Sequence, residues 1–214
     1  MTISTYFADV YRWMTAALGL TAVVAWFVSQ NATISQFLAA NSMIVWILFG
    51  VELLFVFAIA SRAHRMSYGT AIGAFLIYAA LNGVTLSFIF ALYTTASIFN
   101  VFLVTTLMYG ATSLYGYTTK RDLSGLGSFF FMALIGIIVA SILNFWLASP
   151  MIDWVVTFGG IIVFAGLAAY DHQKLKKMAL SGGPASLAIL GALSLYLDFI
   201  NLFLFLLRLM GDRR

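Results

Sequence analysis

The chain has 214 residues, of which 63% are hydrophobic and 8% are charged, and its mean hydropathy is +1.03. This composition excludes a water-soluble domain and indicates an integral membrane protein, because soluble domains carry about 25% charged residues. The net charge of +4 gives no argument for nucleic-acid binding, since the basic residues fall in short stretches between apolar segments. The absence of cysteine excludes disulfides, thiolate metal ligands and a cysteine nucleophile.

Seven apolar segments are long enough to cross a bilayer as helices, for which about 20 residues suffice. In chain order they are residues 10–28, 43–61, 69–93, 99–117, 126–147, 154–170 and 184–210. We predict a polar loop at 29–42 and find no room for a soluble domain. The sequence therefore predicts an all-α polytopic membrane protein with one transmembrane domain covering residues 1–214.

The basic residues predict the orientation of these spans, because cytoplasmic loops hold an excess of lysine and arginine. Those before the first span, or after the second, fourth and sixth, are Arg12, Arg62, Arg65, Lys120, Arg121, Lys174, Lys176 and Lys177. The N-terminus is therefore predicted to be cytoplasmic, and seven spans put the C-terminus outside. The C-terminal part nevertheless contains Arg208, Arg213 and Arg214, which the excess of basic residues on the cytoplasmic side does not predict for an external tail. Either the charged tail is translocated or the last segment enters and returns, and we favour crossing.

Three acidic residues lie in or at the edge of these spans. Glu52 is central in the second span, Asp171 stands at the predicted cytoplasmic end of the sixth, and Asp198 is in the middle of the seventh. A carboxylate at mid-membrane costs roughly 2.5 to 3.5 kcal/mol, so each is a functional candidate. The alternatives are a protonated, hydrogen-bonded Glu52 and a helix-end salt bridge between Asp171 and Lys174.

Asp198 has no cation close by in the sequence, because Arg208 lies about 15 Å further along the same helix. At helical spacing its side chain shares a face with Ser194 and Asn201. With Glu52, this polar face is a candidate ion pathway through an otherwise apolar protein.

Three segments carry a resemblance to a known family. They are GYTTKRDLS at 116–124, AYD at 169–171 and LYLDFINLF at 195–203. In this order they are similar to segments of the transmembrane Bax-inhibitor-motif family, whose bacterial members are small inner-membrane proteins. The resemblance runs over nearly the whole chain. It implies seven helices with the C-terminal helix central, in a bacterial inner (plasma) membrane.

The resemblance also implies a function and a mechanism. Family members of this type are pH-sensitive calcium leak channels, in which the residues matching Asp171 and Asp198 form a hydrogen-bonded, proton-sharing pair. An arginine after the second span latches the cytoplasmic side, and this sequence offers Arg62 and Arg65, of which Arg62 is nearer the span. The expected partners are the lipid bilayer and calcium or another cation in transit.

Two other functions remain open. One is a membrane interaction protein that modulates a membrane protease or a cell-death or stress partner, without transport of its own. The other is a proton-coupled transporter, although the sequence shows no cargo pocket.

Enzymatic activity is not expected. His64 and His172 fall in basic stretches that we predict to be solvated loops, with no nucleophile or third metal ligand beside them. The three span acids are too few for a dense calcium site, since Ca²⁺ takes 6 to 8 oxygen ligands. We therefore predict no catalytic residues, no resident metal and no cofactor.

Overall fold

The computed structural model describes residues 3–181 and 185–214, and within them seven helical segments are long and apolar enough to cross a membrane. Short helices α2 (Ala32–Ala40) and α5 (Ile89–Leu92) accompany these spans. The long helices are α1 (Ile3–Gln30), α3 (Ser42–Arg62), α4 (Tyr68–Leu86, extended by α5), α6 (Thr95–Thr118), α7 (Ser124–Leu147), α8 (Pro150–Ser181) and α9 (Ser186–Met210). The predicted all-α polytopic fold is confirmed.

The stretch between the first two spans is not the polar loop that the sequence predicts at 29–42. It holds α2, whose first turn is capped because Asn31 Oδ1 accepts a hydrogen bond from Ile34 N at 3.1 Å. Asparagine is among the preferred residues at this position, and the nine helical residues contain neither glycine nor proline. The predicted start of the last span at Pro184 lies outside the described residues.

Helix α8 is much longer than the predicted span 154–170, and this difference changes the surroundings of several site residues. It continues to Ser181 because residues 167–181 contain no glycine or proline and several good helix formers, including lysine and leucine. Its 32 residues measure about 48 Å, against a hydrocarbon thickness of about 30 Å. Lys174, Lys176 and Lys177 therefore lie on a helix and not in a loop.

The chain divides into two compact units. Unit one comprises Met1–Thr94, Met178–Tyr196 and Arg213–Arg214, and unit two comprises Thr95–Lys177 and Leu197–Asp212. In unit one, α4 packs against both α1 and α3. In unit two, α6 and α8 pack against each other and against the C-terminal part of α9. The single transmembrane domain predicted from the sequence stays a prediction.

The seven spans differ widely in how much of their surface is buried. Helix α9 has 67% of its most apolar stretch buried, the largest share of the seven, whereas α7 has 6% and α3 has 11%. Because α3 and α7 are almost entirely apolar, their exposed faces suit lipid. The most enclosed span is therefore the C-terminal one, as the sequence predicts.

The C-terminal tail in unit one lies beside the end of the third span. Arg213 forms an isolated antiparallel bridge with Tyr93, and Arg214 N donates to Leu92 O at 3.0 Å. The tail therefore lies at the end of the third span that is far from Arg62 and Arg65. A re-entrant last segment would return the tail to the other end, so this arrangement favours a helix that crosses.

Candidate functional site

Asp198 lies on α9 in unit two, and its side chain is almost completely enclosed, with 5% of its surface exposed. Its Oδ2 atom has no hydrogen-bond partner among residues 3–181 and 185–214. A buried carboxylate without hydrogen bonds is costly to ionise. The charge of this group therefore depends on the charged groups around it.

Asp171 is the acidic neighbour of Asp198 within the same unit. It is half-buried on α8, and the two carboxyl groups interact electrostatically. Lys174, one turn further along α8, acts on both acids with the opposite sign. The resemblance implies a hydrogen-bonded pair, but in this structure Asp198 Oδ2 makes no such bond and the interaction is through charge.

Asp171 lies within α8 and not at the end of that helix, because α8 continues to Ser181. Its predicted place at the cytoplasmic end of the membrane span stays a prediction. His172, predicted to be a solvated loop residue, is fully buried on the same helix, and its Nδ1 lies 2.6 Å from Ala168 O. That prediction was wrong because the helix does not stop at the first charged residues. His64, by contrast, is exposed in the turn after α3, as predicted.

An aromatic side chain of α6 contacts the residues that follow both acids. The Tyr109 ring packs edge to face on His172 with centroids 5.7 Å apart, and on Phe199 at 5.4 Å. Tyr109 therefore links α6 to α8 and α9 immediately beside Asp171 and Asp198. The sequence did not predict a role for this residue, because an isolated tyrosine in an apolar span carries no signal of its own.

The close approach of α6 to α8 depends on Gly116. A Cβ added there would lie 2.0 Å from the backbone oxygen of Ala169, so only glycine allows this contact. Ser113 shares the buried face of α6 with Gly116 and Tyr109, and its Oγ has no hydrogen-bond partner in the described part of the chain. The spacing of 109, 113 and 116 is the helical signal that could have revealed this face.

The two latch candidates belong to unit one, whereas Asp171 belongs to unit two. Arg62 ends α3 and Arg65 lies in the following turn, and both side chains are exposed. The latch therefore stays a prediction.

The candidate ion-pathway residues are also divided between the units. Ser194 and Glu52 belong to unit one and Asn201 to unit two. Asn201 Nδ2 donates to Leu197 O at 2.8 Å, so its amide is turned back onto its own helix. Glu52 is buried, with Asn82 Nδ2 placed 3.1 Å from its Oε2. The pathway itself stays a prediction.

Unit two holds an ion pair that the sequence analysis missed, between Arg208 near the end of α9 and Asp153 in the first turn of α8. The two residues are far apart in the sequence, so no local pattern joins them. Arg208 is one of the basic residues that the orientation rule does not predict on this side, and in the structure it is paired with Asp153. A cavity of about 210 Å³ adjoins the pair and is lined by Ser141, Asn144, Phe145, Asp153, Val156 and Arg208.

The described residues contain no cluster of three or more His, Cys, Asp or Glu side chains that could hold a metal ion. The predicted lack of a resident metal or cofactor is not tested by this observation and stays a prediction.

The fold and the buried acids define the protein as a multi-pass helical membrane protein with ionisable groups inside its last two long helices. A family model described as "Inhibitor of apoptosis-promoting Bax1" matches residues 3–214. The chain is 50% identical to the "Inner membrane protein YbhL" of Escherichia coli, over 99% of this chain and 93% of that protein. It is 40% identical to an uncharacterized protein of Borreliella burgdorferi, over 98% and 92% of the two chains. The protein therefore belongs to the Bax inhibitor family.

Proposed function

We propose that the protein is a pH-sensitive cation leak channel of a bacterial inner membrane, gated by a proton that Asp171 and Asp198 share. The observation that carries the proposal is the electrostatic interaction between the buried Asp198 and the half-buried Asp171. The inner-membrane location is supported by the name of the Escherichia coli relative. The N-terminus faces the cytoplasm in this proposal, as the distribution of basic residues predicts.

The gate follows from the chemistry of two neighbouring carboxyl groups. Two like charges in a water-poor site repel strongly, so the pair titrates as a unit and holds one proton in common. When the pair loses that proton, the added negative charge favours a nearby cation. Lys174 acts on both acids already, and Arg62 or Arg65 is the cation that would close the cytoplasmic side.

Lowering the pH protonates the pair and weakens its electrostatic attraction to Arg62 or Arg65. The fraction of channels in the open state therefore rises. A change from 1:99 to 99:1 needs about 5.5 kcal/mol. A difference of one pH unit supplies only about 1.4 kcal/mol for one proton. The response of the gate is therefore graded and not all-or-none.

Calcium is the cation that the family resemblance implies. The predicted pathway residues Glu52, Ser194 and Asn201 would offer fewer oxygen atoms than the 6 to 8 that a tight calcium site uses. Calcium would therefore pass or bind weakly.

The test is flux through the purified full-length chain in liposomes that contain a calcium indicator. We expect calcium entry above that of protein-free liposomes, and more at mildly acidic than at neutral pH. A rate equal to that of protein-free liposomes at both pH values would overturn the leak function.

The second candidate is an interaction protein that acts on another membrane protein without transport. It is favoured by the description of the family model, which refers to inhibition of an apoptosis-promoting protein. The liposome measurement separates the two functions, because an interaction protein alone carries no flux.

A further inference from the structure

Unit one contains a buried chain of hydrogen-bonding groups that runs from α1 to α3. Thr21 Oγ1 lies 2.8 Å from Ala79 O and 2.7 Å from the Tyr196 hydroxyl. Tyr196 lies 3.0 Å from one end of the Asn82 amide, and the other end lies 3.1 Å from Glu52 Oε2. All four side chains are buried, with 8% or less of their surface exposed.

The number of protons fixes the direction of each bond in this chain once Thr21 is bonded to Ala79 O. A carbonyl oxygen only accepts, so Thr21 must give its single proton to Ala79 O. Tyr196 must then donate to Thr21, because Thr21 has no second proton. With its own proton used, Tyr196 can only accept from Asn82, so the amide nitrogen must face Tyr196.

This direction reverses the Asn82 amide described above and places its carbonyl oxygen, in place of Nδ2, against Glu52. The O and N atoms of an amide are nearly indistinguishable by shape, and their assignment follows from the hydrogen bonds around them. The carbonyl oxygen and Glu52 Oε2 both accept, so the contact requires a proton on Glu52. Thr85 Oγ1 lies against the other carboxyl oxygen, Oε1, and also 3.0 Å from Leu81 O. In this arrangement Thr85 gives its single proton to Glu52, and the contact with Leu81 O has none.

An ionised Glu52 requires the opposite amide orientation, in which fewer of these contacts have a proton. Asn82 then donates to Glu52, Tyr196 donates to Asn82, and Thr21 must donate to Tyr196. No proton remains for the 2.8 Å contact between Thr21 and Ala79 O. The 3.0 Å contact between Thr85 and Leu81 O also has no proton in that case, so an ionised Glu52 leaves two contacts unmade where a protonated Glu52 leaves one.

The charged groups around Glu52 lead to the same conclusion. Glu52 is 5% exposed and takes part in no ion pair within the described residues. The titratable groups that face it are the hydroxyls of Tyr78 on α4 and Tyr196 on α9. A charged carboxylate in this setting would have no counter-ion, which is costly inside a membrane.

We propose that Glu52 is a second proton-binding site, separate from the aspartate pair, and that its proton orders the hydrogen bonds from Glu52 through Asn82, Tyr196 and Thr21 to Ala79 O. Loss of that proton reverses the Asn82 amide and removes the bond that ties α1 to α4. The two helices are in tight contact at this level, because a Cβ added at Gly83 would lie 2.7 Å from Thr21 O. The protonation of Glu52 thus controls the α1–α4 contact within unit one.

Infrared spectroscopy of the purified full-length chain tests the protonation directly. The carbonyl stretch of a protonated carboxyl group is distinct from that of a carboxylate. Measured on an Asp171→Asn/Asp198→Asn background, Glu52→Gln should remove one protonated-carboxyl band at neutral pH, and Tyr196→Phe should shift that band. If Glu52→Gln removes only carboxylate absorption while circular dichroism shows a folded chain, the proposal is wrong.

Thermal unfolding gives a second readout that does not depend on assigning a band. A glutamine amide can donate to Asn82 and accept from Thr85, as a protonated glutamate does. Glu52→Gln should therefore keep the Tm of the unmodified chain at neutral pH, whereas Glu52→Ala should lower it. At alkaline pH the Tm of the unmodified chain should fall below that of Glu52→Gln. A Tm for Glu52→Gln as low as that of Glu52→Ala at neutral pH would contradict a protonated Glu52.

Discussion

At the scale of single residues, Asp198, Glu52 and Asp122 illustrate two chemical settings. Asp198 and Glu52 are each 5% exposed inside the membrane-spanning helices, and neither takes part in an ion pair within residues 3–181 and 185–214. Asp122 lies outside the spans, between α6 and α7, in a network with a basic side chain. A gain or loss of a proton at Asp198 or Glu52 is expected to change the contacts between helices, whereas at Asp122 it is not.

Asp122 is a matched control for the buried acids. Hydrogen bonds from Lys177 Nζ at 2.7 Å and from Ser124 lower its pKa from 3.8 to about 2. A lowered pKa means that the ionised form is favoured in the folded state, so its contribution is present above about 3.8 and lost as the pH falls through about 2. Asp122 therefore stays ionised throughout the physiological range.

We predict that Lys177→Ala raises the pKa of Asp122 towards 3.8, because it removes the largest hydrogen bond to the carboxylate. The measurement is an NMR titration of selectively labelled aspartate side chains in the full-length chain, with Asp122→Asn to assign the signal. If the titration midpoint of Asp122 is unchanged in Lys177→Ala, the contact with Lys177 does not stabilise the ionised Asp122 carboxylate. Since both side chains are largely exposed, little change in overall stability is expected.

At the scale of the helices, the contact between α6 and α8 is the one most sensitive to side-chain size. Gly116→Ala would put a methyl group 2.0 Å from Ala169 O, a backbone atom that cannot turn away. Overpacking of this kind costs roughly 1–3 kcal/mol. We expect a clearly lower Tm for this variant in detergent.

Gly110→Ala on the same helix is the control, because nothing lies within 4 Å of a Cβ added there. Alanine favours a helix over glycine by about 1 kcal/mol, so this variant should be as stable as the unmodified chain or slightly more so. Equal losses in the two variants would mean that the α6–α8 contact is looser than the structure has it.

The helices also show which features of the fold could be predicted from the sequence and which could not. The seven spans could be predicted because each is an apolar run of sufficient length, and Asp198 was conspicuous because it is charged within such a run. The end of α8 was misplaced because charge was taken as the boundary of the helix, whereas lysine continues a helix as well as leucine does. His172 was therefore assigned to solvent although it is fully buried.

Contacts between distant parts of the chain could not be predicted from the sequence for a different reason. Arg208 and Asp153, or Tyr109 and Phe199, meet only when helices far apart in the chain pack together. Helical periodicity gives the face of one helix, but it does not identify the helix that covers that face. The hydrogen-bonded chain from Glu52 to Thr21 was missed for the same reason.

At the scale of the whole molecule, seven spans separate the N-terminus from the C-terminal tail. The bridge between Arg213 and Tyr93 places the tail beside the end of the third span. We therefore predict that reporter fusions after Arg214 and within 94–98 give the same reading, which is outside. Fusions within 29–42 should also report outside, and a fusion after Lys177 should report inside.

Two readings would contradict this topology. A cytoplasmic C-terminus with an external 94–98 segment would mean that the last helix returns without crossing. A periplasmic signal after Lys177 would reverse the orientation of the whole chain and put Arg62 and Arg65 on the periplasmic side, where they could not form the proposed cytoplasmic latch.

The central claim is that Asp171 and Asp198 share the proton that sets the leak, and the direct measurement is calcium flux against pH for the full-length chain in liposomes. Asp171→Asn removes the charge that the closing arginine would contact, so it should leak at high pH as the unmodified chain does at low pH. Asp198→Asn should shift or flatten the pH profile, while Asp122→Asn should leave it unchanged. If both Asp171→Asn and Asp198→Asn keep the pH dependence of the unmodified chain, the paired-aspartate gate is contradicted.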